Sequence, residues 1–363
     1  MNQNQPKPAG RKGYFFQSPA LVTLFAILFL GEGIPAYGLV IQATFDSSIT
    51  SDPNAATIEN TINSAIQIYQ TEFSDPITVT IEFKEMPTGL GRSQYTYYTI
   101  QYSEFYSALQ ADAKTANDAI ALANLPSGPD NPVTGDTTFN INTANLKAIG
   151  IMGMSSDLPG GYDGIVSLNV SIMNLTRPPG SLLKYDLMAV AEHEIDEVLG
   201  FGSRLPTLPS NDEPFPEDLF RYDSSGNRNF TTNGDDAYFS LDGTNLLARF
   251  NQDSSGDYGD WWSTGSHTPQ VQDAFATAGA TPNLGVELTA LDVIGYDLAP
   301  TLAIIPAGAG QATISWTPGT TGYVLQESAS LSPASWVNSS SGTNNPATIF
   351  TTSSSKFYRL SYP

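Results

Sequence analysis

Apolar residues recur at helical spacing behind Asp52-Pro53: Ile58, Ile62, Ala65, Ile66, Tyr69 and Phe73. An aspartate cap followed by proline at the first helical position starts such a helix, and Asp75-Pro76 ends it. Ile77, Val79, Ile81 and Phe83 then alternate with Thr78, Thr80 and Glu82, the period-two pattern of a half-buried strand. A strand also precedes the helix, from Leu39 to Phe45. Ser103 caps a second predicted helix reaching about residue 123, and a loop rich in Pro, Gly and Asp covers 126–137. Short strands are expected at 146–152 and 164–170. Arg177-Pro178-Pro179-Gly180 breaks the chain before a helix predicted from Ser181 to Leu199, which Gly200 closes through the left-handed turn open to glycine.

Beyond this helix the pattern changes. From 203 to 296 it reads as short polar strands and loops, with turns at Asp223-Ser224-Ser225-Gly226 and Asp242-Gly243. Glu287 to Tyr296 predicts a short closing helix with Leu288, Leu291 and Ile294 on one face. In 301–363, Leu302, Ile304, Ile314, Trp316, Tyr323, Leu325, Trp336, Phe357 and Leu360 fall in short alternating runs broken by Pro318-Gly319 and a Ser/Asn/Thr-rich stretch. These predict a small all-β sandwich, read as a spacer or adhesion module. The expected layout is therefore a segment 1–38, an α+β domain over 39–298 and a β-sandwich over 301–363.

Residues 1–38 read as a secretory signal peptide. Arg11 and Lys12 form the basic region, Leu21 to Leu30 the apolar stretch, and Ala36-Tyr37-Gly38 the small-residue cleavage site. The apolar stretch is short for a membrane span. The 363-residue chain carries 15 basic and 36 acidic residues, a net charge of −21. Such a balance repels nucleic acid and anionic membranes and suits a soluble secreted protein. There is no cysteine, so core packing or a bound metal must stabilise the exported fold.

The chain has two histidines. His193 opens the run H-E-I-D-E-V-L-G-F near the end of the 181–199 helix. On a helix, residues four apart share a face, so His193 and Glu197 can address one ion with an imidazole nitrogen and a carboxylate oxygen. Glu194 lies beside them, placed to take a proton from an activated water. Asp196, within a turn of His193, is an alternative ligand, and Glu192 reads as a solvated helix charge. His267, after Gly259-Asp260-Trp261-Trp262, is the expected third ligand because it is the other imidazole. Zinc accepts such a His/Glu/His set, as manganese, cobalt and iron also do. The acidic, Gly-rich Asp253–Asp260 loop is a candidate for a structural calcium ion.

H-E-I-D-E-V-L-G-F resembles the H-E-x-x-H-x-x-G-F segment of metzincin-type zinc proteases, and among them the leishmanolysin-like enzymes and similar secreted bacterial sequences. Ala290-Leu291-Asp292-Val293-Ile294-Gly295-Tyr296 is similar to that group's closing helix. Asp218–Tyr222 and Tyr238–Gly243 are similar to segments of the bacterial set. The resemblance implies a zincin-like fold over roughly 40–298, Glu194 as general base, and His193 and His267 as zinc ligands, the latter after a long insertion. Glu197 stands where the family has its second histidine. No methionine follows Met188, so Ala276 to Ala280 replaces the family's methionine turn with small residues.

The function expected from these readings is a secreted zinc-dependent endopeptidase, and a protein or peptide substrate is expected from it. In the alternative reading the same scaffold binds or adheres without cleaving. The strand near 164–170 is the expected edge for an extended substrate, and Tyr258 and Tyr222 are candidates by type for stabilising an oxyanion.

Overall fold

Two parallel strands joined through helices begin the fold. β1 (Val40–Phe45) is followed by α1 (Ser47–Thr50), α2 (Ala55–Glu72) and β2 (Thr78–Glu85), and β1 pairs with β2 from Val40↔Thr78 to Phe45↔Phe83. The computed structural model describes residues 38–361 apart from 211, 309, 320–322 and 351–354. The predicted signal peptide, Gly38 excepted, lies outside the described residues. Among those described, no helix is long and apolar enough to cross a membrane.

β3 (Gly91–Tyr95), β4 (Tyr97–Gln101), α3 (Tyr102–Asp112), α4 (Ala116–Asn124), β5 (Thr138–Asn142), α5 (Thr143–Ala148) and β6 (Gly164–Leu168) follow. They complete a four-stranded sheet in the order β1-β2-β6-β3, and β3 is its one antiparallel strand, running from Gly91↔Leu168 to Tyr95↔Gly164. Three expectations change here. The helix predicted from Ser103 is two helices, because Thr115 starts a new one: its hydroxyl accepts from Asp118 N while the Asp118 side chain accepts from Thr115 N. The strand expected at 146–152 is the end of α5 and the turn after it, and the strand lies earlier, at β5. β6, the expected edge, is interior, fully buried and paired on both sides. The edge strands are β1 and β3.

The short strands β7 (Met173–Asn174) and β8 (Tyr185–Asp186) pair in parallel before α6 (Leu187–Leu199), the helix that carries His193. It starts six residues later than predicted because Asp186 is its cap, accepting from Ala189 N while the Arg177 side chain holds the carboxylate. Gly200 ends it at φ 129°, as its sequence position predicts.

Most of α6 is buried. α2, β3 and β6 pack on it, and only Met188, His193 and Glu197 are half-exposed. Tyr69 of α2 donates to Asp196 Oδ1 at 2.8 Å, so Asp196 faces the core and not an ion beside His193. Glu192, expected in solvent, is fully buried. Gly164 permits the contact with β6, since a Cβ there would overlap the methyl groups of Val198. Asn142 donates to the Val198 carbonyl and Tyr296 to that of Leu199, capping the helix end from two sides.

The chain from 200 to 298 wraps this scaffold with little regular structure. β9 (Arg221–Tyr222), β10 (Tyr238–Phe239) and β11 (Ala248–Arg249) form a small antiparallel sheet, and α7 (Val286–Val293) closes the main core where the sequence places a helix. Trp261 is fully buried against Phe201, Phe239 and Phe250. The remaining strands are β12 (Thr301–Pro306), β13 (Gln311–Thr317), β14 (Val324–Ser328), β15 (Val337–Asn338), β16 (Ala347–Phe350) and β17 (Phe357–Ser361). They make two three-stranded antiparallel sheets, β12-β13-β16 and β15-β14-β17, that share a separate core of Ile314, Trp316, Leu325 and Ala347.

Candidate metal centre

His193 and Glu197 lie one turn apart on α6, with His193 Nε2 3.7 Å from Glu197 Oε1. The third group at this point is Asp260, whose Oδ1 is 3.9 Å from His193 Nε2. One ligand atom from each of His193, Glu197 and Asp260 lies within 4.8 Å of the others.

The structure does not bring His267 into this cluster. Its Nε2 is 2.8 Å from Asp273 Oδ2 and its Nδ1 3.2 Å from the Gly265 carbonyl, so both ring nitrogens face acceptors of their own. Asp260 reaches the cluster because its neighbours on both sides are buried. Trp261 is held in the core, and Gly259 presses so closely on the backbone of Gly202 and Ser203 that a Cβ would meet it at 2.9 Å. The Asp253–Asp260 loop was singled out for calcium, yet Asn251 fills its interior, donating to the carbonyls of Asp253 and Asp257.

The tautomer of His193 follows from its partners. Nδ1 is 3.1 Å from the Val271 carbonyl, which can only accept, so in the neutral ring Nδ1 carries the proton and Nε2 the lone pair. The Gln272 side-chain amide lies 3.5 Å from Nε2 and donates to Asp260 Oδ1 at 3.2 Å. Ser93 of β3 donates to Glu197 Oε2 at 2.5 Å.

The electrostatics are those of crowded, buried acids. Burial pushes Asp260 up to about 8 against the pull of the His193 ring, with Glu197 and Asp257 adding to the rise. Burial lowers His193, but Asp260 and Glu197 outweigh it and the ring is raised. Glu194 is 4% exposed, its Oε2 is buried without a partner, and burial together with neighbouring Glu197 holds its carboxyl well above the usual range. The acids are crowded against one another, with the His193 ring as the basic group beside them. A divalent ion fits the same donors: one neutral nitrogen and two carboxylates match its charge, and both ligand types suit zinc or manganese.

The cluster sits between two lobes of one cleft, of about 520 and 440 Å³, which share Ser93, Glu197, Asp257 and Asp260. Gly91 and Arg92 continue β3 along the larger lobe, Gln94 and Tyr95 along the smaller. Ala276, Thr277 and Ala280, the small residues expected at the methionine-turn position, line the larger lobe. Tyr258 lines the smaller one, whereas Tyr222 is buried beneath the Arg228 guanidinium. Sequence reasoning missed Ser93 and Gln272, and placed Asp260 in a calcium loop and not beside His193. Compared with family models, curated proteins and solved structures, the chain matches none of them.

Proposed function

We propose that this chain is a metal-dependent endopeptidase with a zincin-like catalytic domain, acting outside the cell, and that His193, Glu197 and Asp260 hold its divalent ion. The observation that carries the reading is the position of Glu194. Its unpaired, buried carboxylate oxygen adjoins the candidate ligands in a cleft that an edge strand lines on both sides.

When bound, a divalent ion supplies Lewis acidity and makes water available as a nucleophile near neutral pH. The protein's own groups do the rest. Glu194, held proton-hungry by burial and by Glu197, takes the proton from the attacking water and delivers it to the leaving amine. β3 orients an extended peptide by strand addition, with Ser93 beside Glu197 marking where the scissile bond crosses the cluster. The resemblance of H-E-I-D-E-V-L-G-F to the metzincin segment supports the same reading and puts zinc first.

One observation favours the second reading, a binding scaffold that does not cleave. Glu197 Oε2 already accepts a hydrogen bond from Ser93 Oγ, so this candidate ligand has a protein partner of its own. Elemental analysis of the purified, dialysed chain, followed by a casein or peptide cleavage assay, separates the two. About one zinc per chain and cleavage that stops in Glu194→Gln support the peptidase, while metal-free protein without cleavage supports the scaffold.

A further inference from the structure

His267 and Asp273 form a closely held pair at the turn that touches the cluster. Besides His267 Nε2, Asp273 Oδ2 accepts from Gln270 N at 3.1 Å, which closes the 270–273 turn. The His267 ring is held from the other side by the Gly265 carbonyl and the edge of Trp262, 6.3 Å between centroids. Asp273 is 3% exposed, and its Oδ1 has no hydrogen-bond partner. A buried carboxyl with one oxygen unpartnered depends on the partners of the other, here His267 Nε2 and the Gln270 amide.

The turn so closed carries the contacts that orient two of the three candidate ligands. Val271 offers its carbonyl to His193 Nδ1–H, and the Gln272 amide reaches Asp260 Oδ1 and His193 Nε2. Gln272 is itself anchored by backbone bonds, its N donating to Glu287 Oε1 at 3.1 Å and its carbonyl accepting from Trp261 N at 2.8 Å. A ring whose Nδ1–H is fixed by a carbonyl presents its Nε2 lone pair in one direction only, and such outer contacts govern metal affinity.

We propose that His267 is a positioning residue. Through Asp273 it closes the 270–273 turn, and the turn fixes the tautomer and ring plane of His193 and the rotamer of Asp260. The role in metal binding rests on reading the cluster as a metal centre; the role in setting the His193 tautomer does not. The pair would thus be a support for the ion and not a ligand to it, which gives each of the chain's two histidines a separate part.

The test uses the full chain, metal-free and labelled with ¹⁵N-histidine. With two histidines the spectrum holds two rings, assigned by their loss in His267→Gln and His193→Gln. At a pH where the ring is neutral, wild-type His193 is expected in the Nδ1–H tautomer, and His267→Ala is expected to give averaged Nδ1 and Nε2 shifts. Titration with Zn²⁺ is expected to show a 10- to 100-fold weaker affinity in His267→Ala, roughly the range for outer-contact changes, with His267→Gln recovering most of it through its remaining donor. If the alanine variant does not fold, Asp273→Asn keeps the volume, removes the charge and carries the same two expectations. An unchanged His193 tautomer with zinc affinity within about threefold of wild type overturns the proposal. Loss of zinc binding altogether in His267→Ala and His267→Gln alike, with the tautomer intact, also overturns it, because a ligand would behave so. A wild-type chain that takes up no zinc overturns the metal reading, and the ring tautomer still decides the positioning role.

Discussion

Gly91 and Glu194 share one space: the Cβ that Gly91 lacks would fall on Glu194 Oε1 and crowd Val190. The edge strand therefore approaches the helix closely at the carboxylate proposed to move protons. Gly91→Ala is expected to displace Glu194 or lift the start of β3, lowering peptide turnover by at least about tenfold. The ligands sit elsewhere, so one metal per chain should remain. Turnover and metal content measured on the same preparation check this, and unchanged turnover would show that Glu194 has room to spare.

Glu194→Gln is expected to reduce cleavage by roughly 10²- to 10⁴-fold, the range for losing a positioned base. The same change removes a buried carboxyl whose Oε2 lacks a partner, so thermal stability should hold or rise. A variant that is inactive because it unfolds would contradict both halves of this expectation.

Asp260→Asn keeps the shape of the side chain and removes its charge. Elemental analysis is expected to show little retained metal in this variant and in Glu197→Gln. With excess zinc the wild type should gain stability, by about 2.7 kcal/mol at a hundred times the dissociation constant, and the two variants should gain almost none. Equal gains in all three would remove Asp260 from the centre.

Asp292 lies in α7, 1% exposed, accepting from Thr115 and Asn117 with its Oδ1 unpartnered. Burial, reinforced by Asp118, pushes it up to about 7 from the ordinary 3.8. A carboxyl with a raised folded pKa binds its proton more tightly folded than unfolded. Its stabilising contribution is complete below about 3.8 and is lost as pH rises toward about 7. Melting temperatures at pH 4, 5, 6 and 7 should fall across this window in the wild type and fall less in Asp292→Asn. Asp112, also pushed up to about 7 by burial, leaves part of the slope in place.

Gly164→Ala makes the matching structural control. Its Cβ would overlap Val198, so the variant should lose about 1–3 kcal/mol by overpacking. Cleavage per folded molecule should change far less than in Gly91→Ala, because Val198 faces the sheet. Denaturant unfolding alongside turnover distinguishes the two glycines.

The elements that the sequence pattern predicts well are those whose burial is one-sided and continuous. α2, β2 and α7 follow from apolar spacing and α6 from its spacing and glycine stop, but the starts do not: α2 begins after Asn54 and not at Asp52-Pro53, and α6 after Asp186. β5 was missed although Phe139 and Ile141 alternate with Thr138, Asn140 and Asn142; what the sequence does not show is that its polar face is buried too, with Asn140 and Asn142 at 2% exposure. The split between α3 and α4 turned on the single residue Thr115. In the candidate centre, His193, Glu194 and Glu197 were legible because helical spacing is local. Asp260, Gln272 and Ser93 arrive from loops and a strand far along the chain, and nothing within a window of sequence brings them together. His267 was drawn in by residue type, whereas its partner Asp273 lies only six positions on.

The arrangement of Asp260 and α6 has a consequence for a chain with no cysteine. An ion shared by His193, Glu197 and Asp260 would be a cross-link, fastening the irregular 200–298 wrap to the buried helix as a disulfide does elsewhere. Withdrawing the ion would then loosen the wrap before the sheet, while Trp261 stays held by its own aromatic core.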